Sequence, residues 1–354
     1  MIQLLANGQL TIALLEQKSL KKNALAAYHF CSDWLQGKES FIIKTSGSTG
    51  VAKDIELRRE QMIASALNSQ KILNITLYDH MHVCLPVEHI GGLMQLVRAL
   101  CFKLNVYIYE PKIDVLDTII TMSGNNHISL VPSMIETYIQ KKHEQDILQN
   151  FATILIGGAY ISSTIENYFS SHISQAFQTY GMTETCSSIA LRNLSKKEKT
   201  YKLLDGWQYK LSSENCLFLY HPTILNNWIE TKDIVDINSD NTFTVKGRLD
   251  FIINSGGLKY SPEELEYRIH TSGHDLKYKY VVSSIPDKIW GEKLVLVLET
   301  DLHLLDQFKL EILNKINSLL TQNIIKEIKT MPQFIYTNSN KIDRLKIKEY
   351  IENL

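Results

Sequence analysis

The chain has 354 residues, more than one hydrophobic core usually organises, so two or three domains or subdomains are expected. Apolar residues make up 44% of it, ample for such cores. The formal net charge of -1 supplies no long-range field for gathering nucleic acid or an anionic membrane, so an anionic ligand must be gripped locally.

The N-terminal stretch MIQLLANGQLTIALLEQKSLKK has no basic region ahead of an apolar one, and no apolar run reaches about 18 residues, so a cytoplasmic, uninserted chain is expected. Cys31, Cys84, Cys101, Cys186 and Cys216 are odd in number and contain no C-x-x-C pair. That argues for a reducing compartment and against structural zinc, with the thiols read as small buried hydrophobes.

The β-prone Phe41-Ile42-Ile43 runs into TSGSTGVAK, from Thr45 to Lys53. Gly47 and Gly50 permit positive φ, so successive N–H groups can converge on an anion; Ser46, Ser48 and Thr49 add hydroxyls and Lys53 adds charge. The Walker pattern ends in Gly-Lys-Ser/Thr before a helix. Here Asp54 to Leu57 reads as a second strand, so the loop is expected to join a hairpin, and an ordinary Ser/Gly turn is the rival reading.

Residues 40 to 200 alternate short β-rich runs with helical patterns, which predicts α/β layering. Met81 to Pro86 reads as a strand and its exit, Gly91 to Leu100 as a helix, and Asn105 to Tyr109, Ile128 to Val131 and Thr153 to Ile156 as further strands. The last two end at Pro132-Ser133 and Gly157-Gly158-Ala159, which puts suggestive residues at strand carboxyl ends. From about residue 201 the strands shorten (Leu217 to Tyr220, Ile234 to Ile237, Thr242 to Val245) and a β-rich lobe is expected. Lys196 to Lys199 reads as a solvated loop. Ser261 as N-cap and Pro262 as first helical residue open a helix, followed by strands at Tyr278 to Ser283 and Leu294 to Glu299 and a helix over Asp306 to Leu320. The boundary is placed at Leu249-Asp250, giving domains 1–249 and 250–354.

Four distant segments share the composition of one nucleotide and acyl site. Beside the phosphate loop stands Gln178-Thr179-Tyr180-Gly181-Met182-Thr183-Glu184-Thr185. There Tyr180 can stack on a purine, Thr183 can donate to a phosphate and Glu184 can hold Mg²⁺. In Thr231-Lys232-Asp233 and Gly247-Arg248-Leu249-Asp250, Asp233 can accept from ribose hydroxyls and Arg248 can pair with phosphate or ribose oxygens. Asn340-Lys341-Ile342-Asp343-Arg344 is a cationic turn near the C-terminus.

In this order the segments resemble the adenylate-forming superfamily of acyl-CoA synthetases, luciferases and peptide-synthetase adenylation domains. The likeness covers about residue 40 to 345, with GRLDFIINSGGLKYSPEELE as the hinge motif and NKIDR as the site of a catalytic lysine. It implies a large N-terminal α/β domain with a β-rich lobe and a small α+β C-terminal domain rotating about Asp250. It also implies two half-reactions, in which a carboxylate and ATP give acyl-AMP and pyrophosphate, and a thiol then displaces AMP. ATP, Mg²⁺ and CoA are the implied cofactors and co-substrates. Lys341 would bridge the acid and the α-phosphate, Gly157, Gly158, Ala159, Tyr180 and Gly181 would meet adenine or acyl group, and Gly256 and Gly257 would line the thiol channel. Lys232 and Asn340 depart from the family's usual glycines, and Asn tolerates left-handed backbone better.

Only 44 residues precede Thr45, fewer than family members usually carry, and this resembles compact o-succinylbenzoate-CoA ligases of menaquinone biosynthesis. Leu85-Pro86-Val87-Glu88-His89-Ile90-Gly91-Gly92-Leu93 with Arg98, Ser129 to Ser133, and Ser255 to Gly257 match the same group. The acid has two carboxylates, and Arg98, whose guanidinium fork suits the aromatic one, is the candidate partner. Arg98 also fits a helix-capping or snorkelling role, His89 a structural or a pocket role, and Ser133 a helix cap or the aryl pocket. Rival functions are a ligase for another small acid, with CoA or a carrier protein, and a silent nucleotide-binding protein on the same fold. The sequence leaves oligomeric state and the CoA nucleotide site open.

Overall fold

A computed structural model describes residues 2–6, 9–10, 21–45, 53–141, 145–159, 161–171, 175–238, 241–271, 276–301, 305–337 and 342–354. By internal contacts the chain forms two compact units. One is Met1–Tyr209 with Leu219–Ile229 and Asn238–Phe243; the other is Lys210–Phe218 with Glu230–Ile237 and Thr244–Leu354.

The first unit opens with β1 (Ile2–Ala6), β2 (Gln9–Leu10), α1 (Lys22–Leu35), β3 (Ser40–Thr45), β4 (Lys53–Arg58), α2 (Arg59–Leu73), β5 (His80–Val83) and α3 (Ile90–Phe102). It continues through β6 (Asn105–Ile108), β7 (Asn126–Leu130), α4 (Pro132–Ile139), β8 (Thr153–Ile156), α5 (Ser163–Ser170), β9 (Gln175–Met182), β10 (Ser187–Asn193) and β11 (Tyr201–Leu203). Its strands lie in the order β2-β1-β6-β5-β7-β8-β9-β10-β11. The run β6-β5-β7-β8-β9 is parallel. Strands β7 and β8 are buried at every residue, as parallel strands covered on both faces must be. Ile128, Leu130, Ile154 and Ile156 share a core with Met134 and Ile135 of α4 and Ile165 and Phe169 of α5.

The chain passes between the units along β12 (Gln208–Leu211), β13 (Cys216–Tyr220), β14 (Ile229–Ile237) and β15 (Thr242–Arg248). The second unit adds β16 (Ile253–Ser255), β17 (Leu258–Tyr260), α6 (Pro262–Thr271), β18 (Tyr280–Asp287), β19 (Gly291–Glu299), α7 (Asp306–Leu319), β20 (Glu327–Met331) and α8 (Arg344–Glu352). Its sheet runs β17-β16-β19-β18, with β20 parallel on β19. Ile269 of α6 and Ile312 and Ile316 of α7 pack into one core with Leu294, Leu296 and Leu298. Ile347 and Ile351 of α8 pack into another with Val281, Val295 and Val297. The architecture is the mixed α/β class expected.

The predicted strand at 153–156 and the helix beginning at Pro262 are found as expected, and Ser261 Oγ accepts from Glu264 N at 3.2 Å. Two long helices have no counterpart in the predicted elements. In α2 the buried face includes Gln61, Ser65 and Ser69, so its apolar periodicity is weak. In α1 the stripe of Ala24, Ala27, Cys31 and Trp34 has helical spacing but rests partly on small residues. The 196–199 loop is solvated as expected, all four residues being exposed, although Lys199 reaches the mostly buried Glu166 at 2.7 Å. Among the described residues no helix is long and apolar enough to cross a membrane.

Candidate functional site

The candidate residues of the first unit follow the carboxyl ends of its parallel strands. After β5 come Leu85 to His89; after β7, Pro132-Ser133; after β8, Gly157 to Ala159; after β9, Thr183 and Glu184. This is the edge at which open α/β sheets bind ligands.

The hairpin expected around the phosphate loop is present. Strands β3 and β4 pair antiparallel from Ser40↔Arg58 to Thr45↔Lys53. Ser46, Gly47, Ser48, Thr49 and Gly50 lie outside the described residues, as does Lys341. Among the described residues on either side of Lys341, Tyr336 bridges Ile342, and Asp343 N donates to Ile335 O at 2.8 Å. Asp343 then caps α8, accepting from Lys346 N at 3.1 Å.

The turn after β9 is wired from within. Thr185 Oγ1 accepts from Met182 N at 3.1 Å and lies 3.0 Å from Met182 O and 2.9 Å from Ser187 O. Ser65 Oγ of α2 donates to Cys186 O at 2.7 Å. Held this way, Cys186 and Ser187 adopt φ of 52° and 86°, uncommon for non-glycine residues and often seen where structure over-determines a functional turn. The turn presents Thr183 and Glu184, both half-buried, and among the described residues neither side chain has a hydrogen-bond or ion-pair partner. A single available carboxylate suits Mg²⁺, which is commonly held by one or two carboxylates plus substrate phosphates. No group of three His, Cys, Asp or Glu that could hold a metal occurs among the described residues. Gly181 answers to the protein itself, since a Cβ there would lie 1.9 Å from Ser187 O. Gly157 is similar, its Cβ meeting Thr179 Oγ1 at 2.6 Å, while Gly158 has φ +90°. The Tyr180 ring sits edge-on to Phe243 at 5.2 Å and tilted to Tyr201 at 5.8 Å.

On the acyl side, His89 is the N-cap residue of α3 yet caps nothing with its side chain, and its half-buried ring has no partner among the described residues. Arg98, two and a half turns later, is only 2% exposed. Its Nε donates to Ser69 Oγ at 3.2 Å and Nη1 to Met94 O at 3.4 Å. No carboxylate pairs with it among the described residues, and burial pushes its pKa down to about 10. A buried guanidinium held by neutral oxygens alone retains a large desolvation cost that an incoming anion would offset. This replaces the snorkelling alternative, because the head group does not reach water. Ser133 is not the cap of α4: Val131 is, with Pro132 at the first position, and Ser133 is half-buried in the first turn.

In the second unit Arg248 Nη1 donates to the buried Asp233 at 3.1 Å and Nη2 to Asp250 at 3.0 Å. One guanidinium thus joins the ribose candidate to the hinge candidate. Gly256 and Gly257, with φ of +59° and +80°, make the two-residue turn between β16 and β17, the geometry of a tight hairpin.

Matching these features to known proteins, residues 11–211 fit the model of the AMP-binding enzyme family. The chain belongs to that family. It is 30% identical over 338 residues to a 2-succinylbenzoate–CoA ligase of Listeria monocytogenes, covering 89% of this chain and 71% of that one. An acyl-CoA synthetase (AMP-forming)/AMP-acid ligase II-like protein of Dyadobacter fermentans superposes with a TM-score of 0.61 at 29% identity, over 95% of this chain and 97% of that chain. The o-succinylbenzoate CoA synthetase of Bacillus subtilis, solved with the acyl-adenylate OSB-AMP, shares the fold with a TM-score of 0.75 at 23% identity, over 87% of this chain and 68% of that chain.

Two positions escaped sequence reasoning. Thr185 looked like one more hydroxyl of the motif but holds its turn together. Asn23, which belongs to no motif, is buried and bonded to the loop that leads to His89. Its partners are more than sixty residues away, so no local pattern marks it.

Proposed function

We propose that this AMP-binding enzyme activates a carboxylic acid with ATP and transfers the acyl group to CoA, and that the acid is o-succinylbenzoate, in menaquinone biosynthesis. The observation that carries the choice of acid is Arg98, a buried guanidinium on α3 without a protein carboxylate among the described residues. An acid with a second carboxylate supplies the missing anion, whereas a monocarboxylic acid leaves the cation uncompensated. The names borne by the Listeria and Bacillus relatives point the same way.

In this reading the hairpin loop from Thr45 to Lys53 grips the β- and γ-phosphates, and Asp233 and Arg248 hold the ribose. Thr183 donates to phosphate, and Glu184 would hold Mg²⁺, which when bound neutralises phosphate charge. Lys341 neutralises the charge that develops between the acid and the α-phosphate; such chemistry is chiefly positioning and electrostatics. His89 and Ser133 border the acid, and Gly157 to Ala159, Tyr180 and Gly181 border the adenylate. Rotation of residues 250–354 about Asp250 withdraws Lys341 and brings Gly256 and Gly257 to the thiol. ATP and CoA are drawn from the cytoplasm, where the reading places the chain.

The test is acid-dependent exchange of pyrophosphate into ATP, followed by thioester formation, with o-succinylbenzoate beside benzoate and medium-chain acids. Thioester from o-succinylbenzoate alone is the expected result, and equal turnover of monocarboxylic acids would remove Arg98's role. Lys341→Ala is expected to abolish exchange yet preserve thioester formation from preformed acyl-AMP; equal loss of both would contradict the rotation.

A further inference from the structure

Helix α1 touches both halves of the candidate site in the first unit. At its start, Asn23 is 5% exposed and every polar group of its side chain is engaged. Nδ2 donates to Tyr109 O at 2.8 Å and Leu85 O at 3.3 Å, and Oδ1 accepts from Val87 N at 3.0 Å. Its backbone N–H, one of the donors a helix start leaves over, donates to Glu110 Oε1 at 3.2 Å. The turn at Leu85 to His89 is therefore tied to α1 and to the end of β6. The same turn sits against the start of α3, where a Cβ on Gly92 would lie 2.3 Å from Pro86 O. Moving it would displace His89 and the helix that carries Arg98.

At the other end of α1, Phe30 and Trp34 form an aromatic group with Phe41 of β3, with ring centroids 4.8 and 5.8 Å from Phe41. Arg59, the first residue after β4, lies 4.4 Å over the Trp34 ring and donates Nη1 to Trp34 O at 2.7 Å. Between the two ends Ala24, Ala27 and Cys31 are buried, so the helix is seated along its length. Its 14 residues span about 21 Å at the usual rise.

We propose that α1 is a strut setting the spacing between the acid-side turn and the β3–β4 hairpin, with Asn23 a positioning residue for the acid and Trp34 and Arg59 positioning residues for ATP. The inference rests on the functional reading above. A purely structural Asn23 would lower stability and move both substrates alike; a strut separates the ends.

Asn23→Asp keeps the acceptor for Val87 N, loses both donated bonds and sets a carboxylate oxygen against Leu85 O and Tyr109 O. It is expected to raise the KM for o-succinylbenzoate in pyrophosphate exchange about tenfold, for the loss of two hydrogen bonds, with the KM for ATP within about twofold. Trp34→Leu, or the milder Arg59→Lys, is expected to do the reverse. Hydrogen–deuterium exchange supplies a readout that needs no substrate: Asn23→Asp speeds exchange in residues 85–93 and spares 40–45 and 53–58, and Trp34→Leu inverts that pattern. If either variant loosens both segments together, or neither, the strut is overturned. Wild-type protein silent with o-succinylbenzoate would instead overturn the choice of acid, and deuterium exchange would still decide the strut.

Discussion

Arg98, buried in the first unit, and Arg344, half-buried in the second, are both cations withdrawn from water, and their surroundings solve the same problem in opposite ways. Arg344 grips Glu266 through both Nη atoms, at 2.8 and 2.5 Å, with Glu263 3.8 Å from Nε. Burial opposes its charge, but Glu266 and then Glu263 more than restore it, so its proton is held more tightly than usual. Arg98 has only a serine hydroxyl and a backbone carbonyl, and burial lowers its pKa. His82 shows a third solution. It is stacked between Tyr107 and Tyr109, and burial lowers its pKa to about 4 despite a hydrogen bond with Asn126, with His80 and His127 adding to the fall. A cation that is paired belongs to the architecture, one that is discharged costs nothing at neutral pH, and one that is neither is, in the proposed reading, the partner of the acid's second carboxylate.

The largest effect is expected from the paired cation. Arg344→Ala strands two carboxylates and should cost about 3–5 kcal/mol in denaturant unfolding, and adding Glu266→Gln should recover part of it. A loss below about 1 kcal/mol would erase the contrast with Arg98.

Next comes the discharged group. The unfolded chain protonates His82 near 6.5 and the folded chain only near 4, so the unfolded state binds more protons between those values. Stability is full above that window and falls as pH drops through it, by on the order of 3 kcal/mol. His82→Phe should flatten the slope; an unchanged slope would assign it to His127, whose pKa burial also lowers.

Arg98→Met should leave thermal stability unchanged or slightly raised while lifting the KM for o-succinylbenzoate roughly 10- to 100-fold, the worth of hydrogen bonds to a charged group. If Arg98→Met destabilises as strongly as Arg344→Ala and spares the acid, Arg98 is architectural. The smallest effect is expected at Asp250, which shares Arg248 with Asp233 in a partly exposed pair. Asp250→Asn should shift stability by less than about 1 kcal/mol in the same unfolding measurement. A larger shift would place this clamp with Arg344 rather than with ordinary surface pairs.

Much of this was legible because it is local chemistry. The β-prone runs before and after TSGSTGVAK imply the hairpin, since strand periodicity and turn residues act over a few positions. The Ser261-Pro262 start of α6 is readable for the same reason. Helix α2 was not, because its buried Gln61 and Ser65 are satisfied by distant partners, Gln61 Nε2 donating to Ile224 O at 2.6 Å and Ser65 Oγ to Cys186 O at 2.7 Å. Arg98 was legible as a candidate, but its lack of a carboxylate partner was not, since pairing depends on side chains distant in sequence.

The sequence by itself determined which groups can do chemistry and in what order they occur: hydroxyls and glycines near 45–53, the carboxylate at Glu184, Asp233 with Arg248, and Lys341 near the C-terminus. Only the tertiary structure decided which are engaged and which are available. It closed Thr185 on its own turn, set Arg248 between two aspartates, buried Arg98 among neutral oxygens, and seated Asn23 under the turn that leads to His89. The reason is physical. Residue type fixes a side chain's donors, acceptors and charge, whereas desolvation and partnership, which set what that charge costs and what it will bind, exist only once distant segments are packed together.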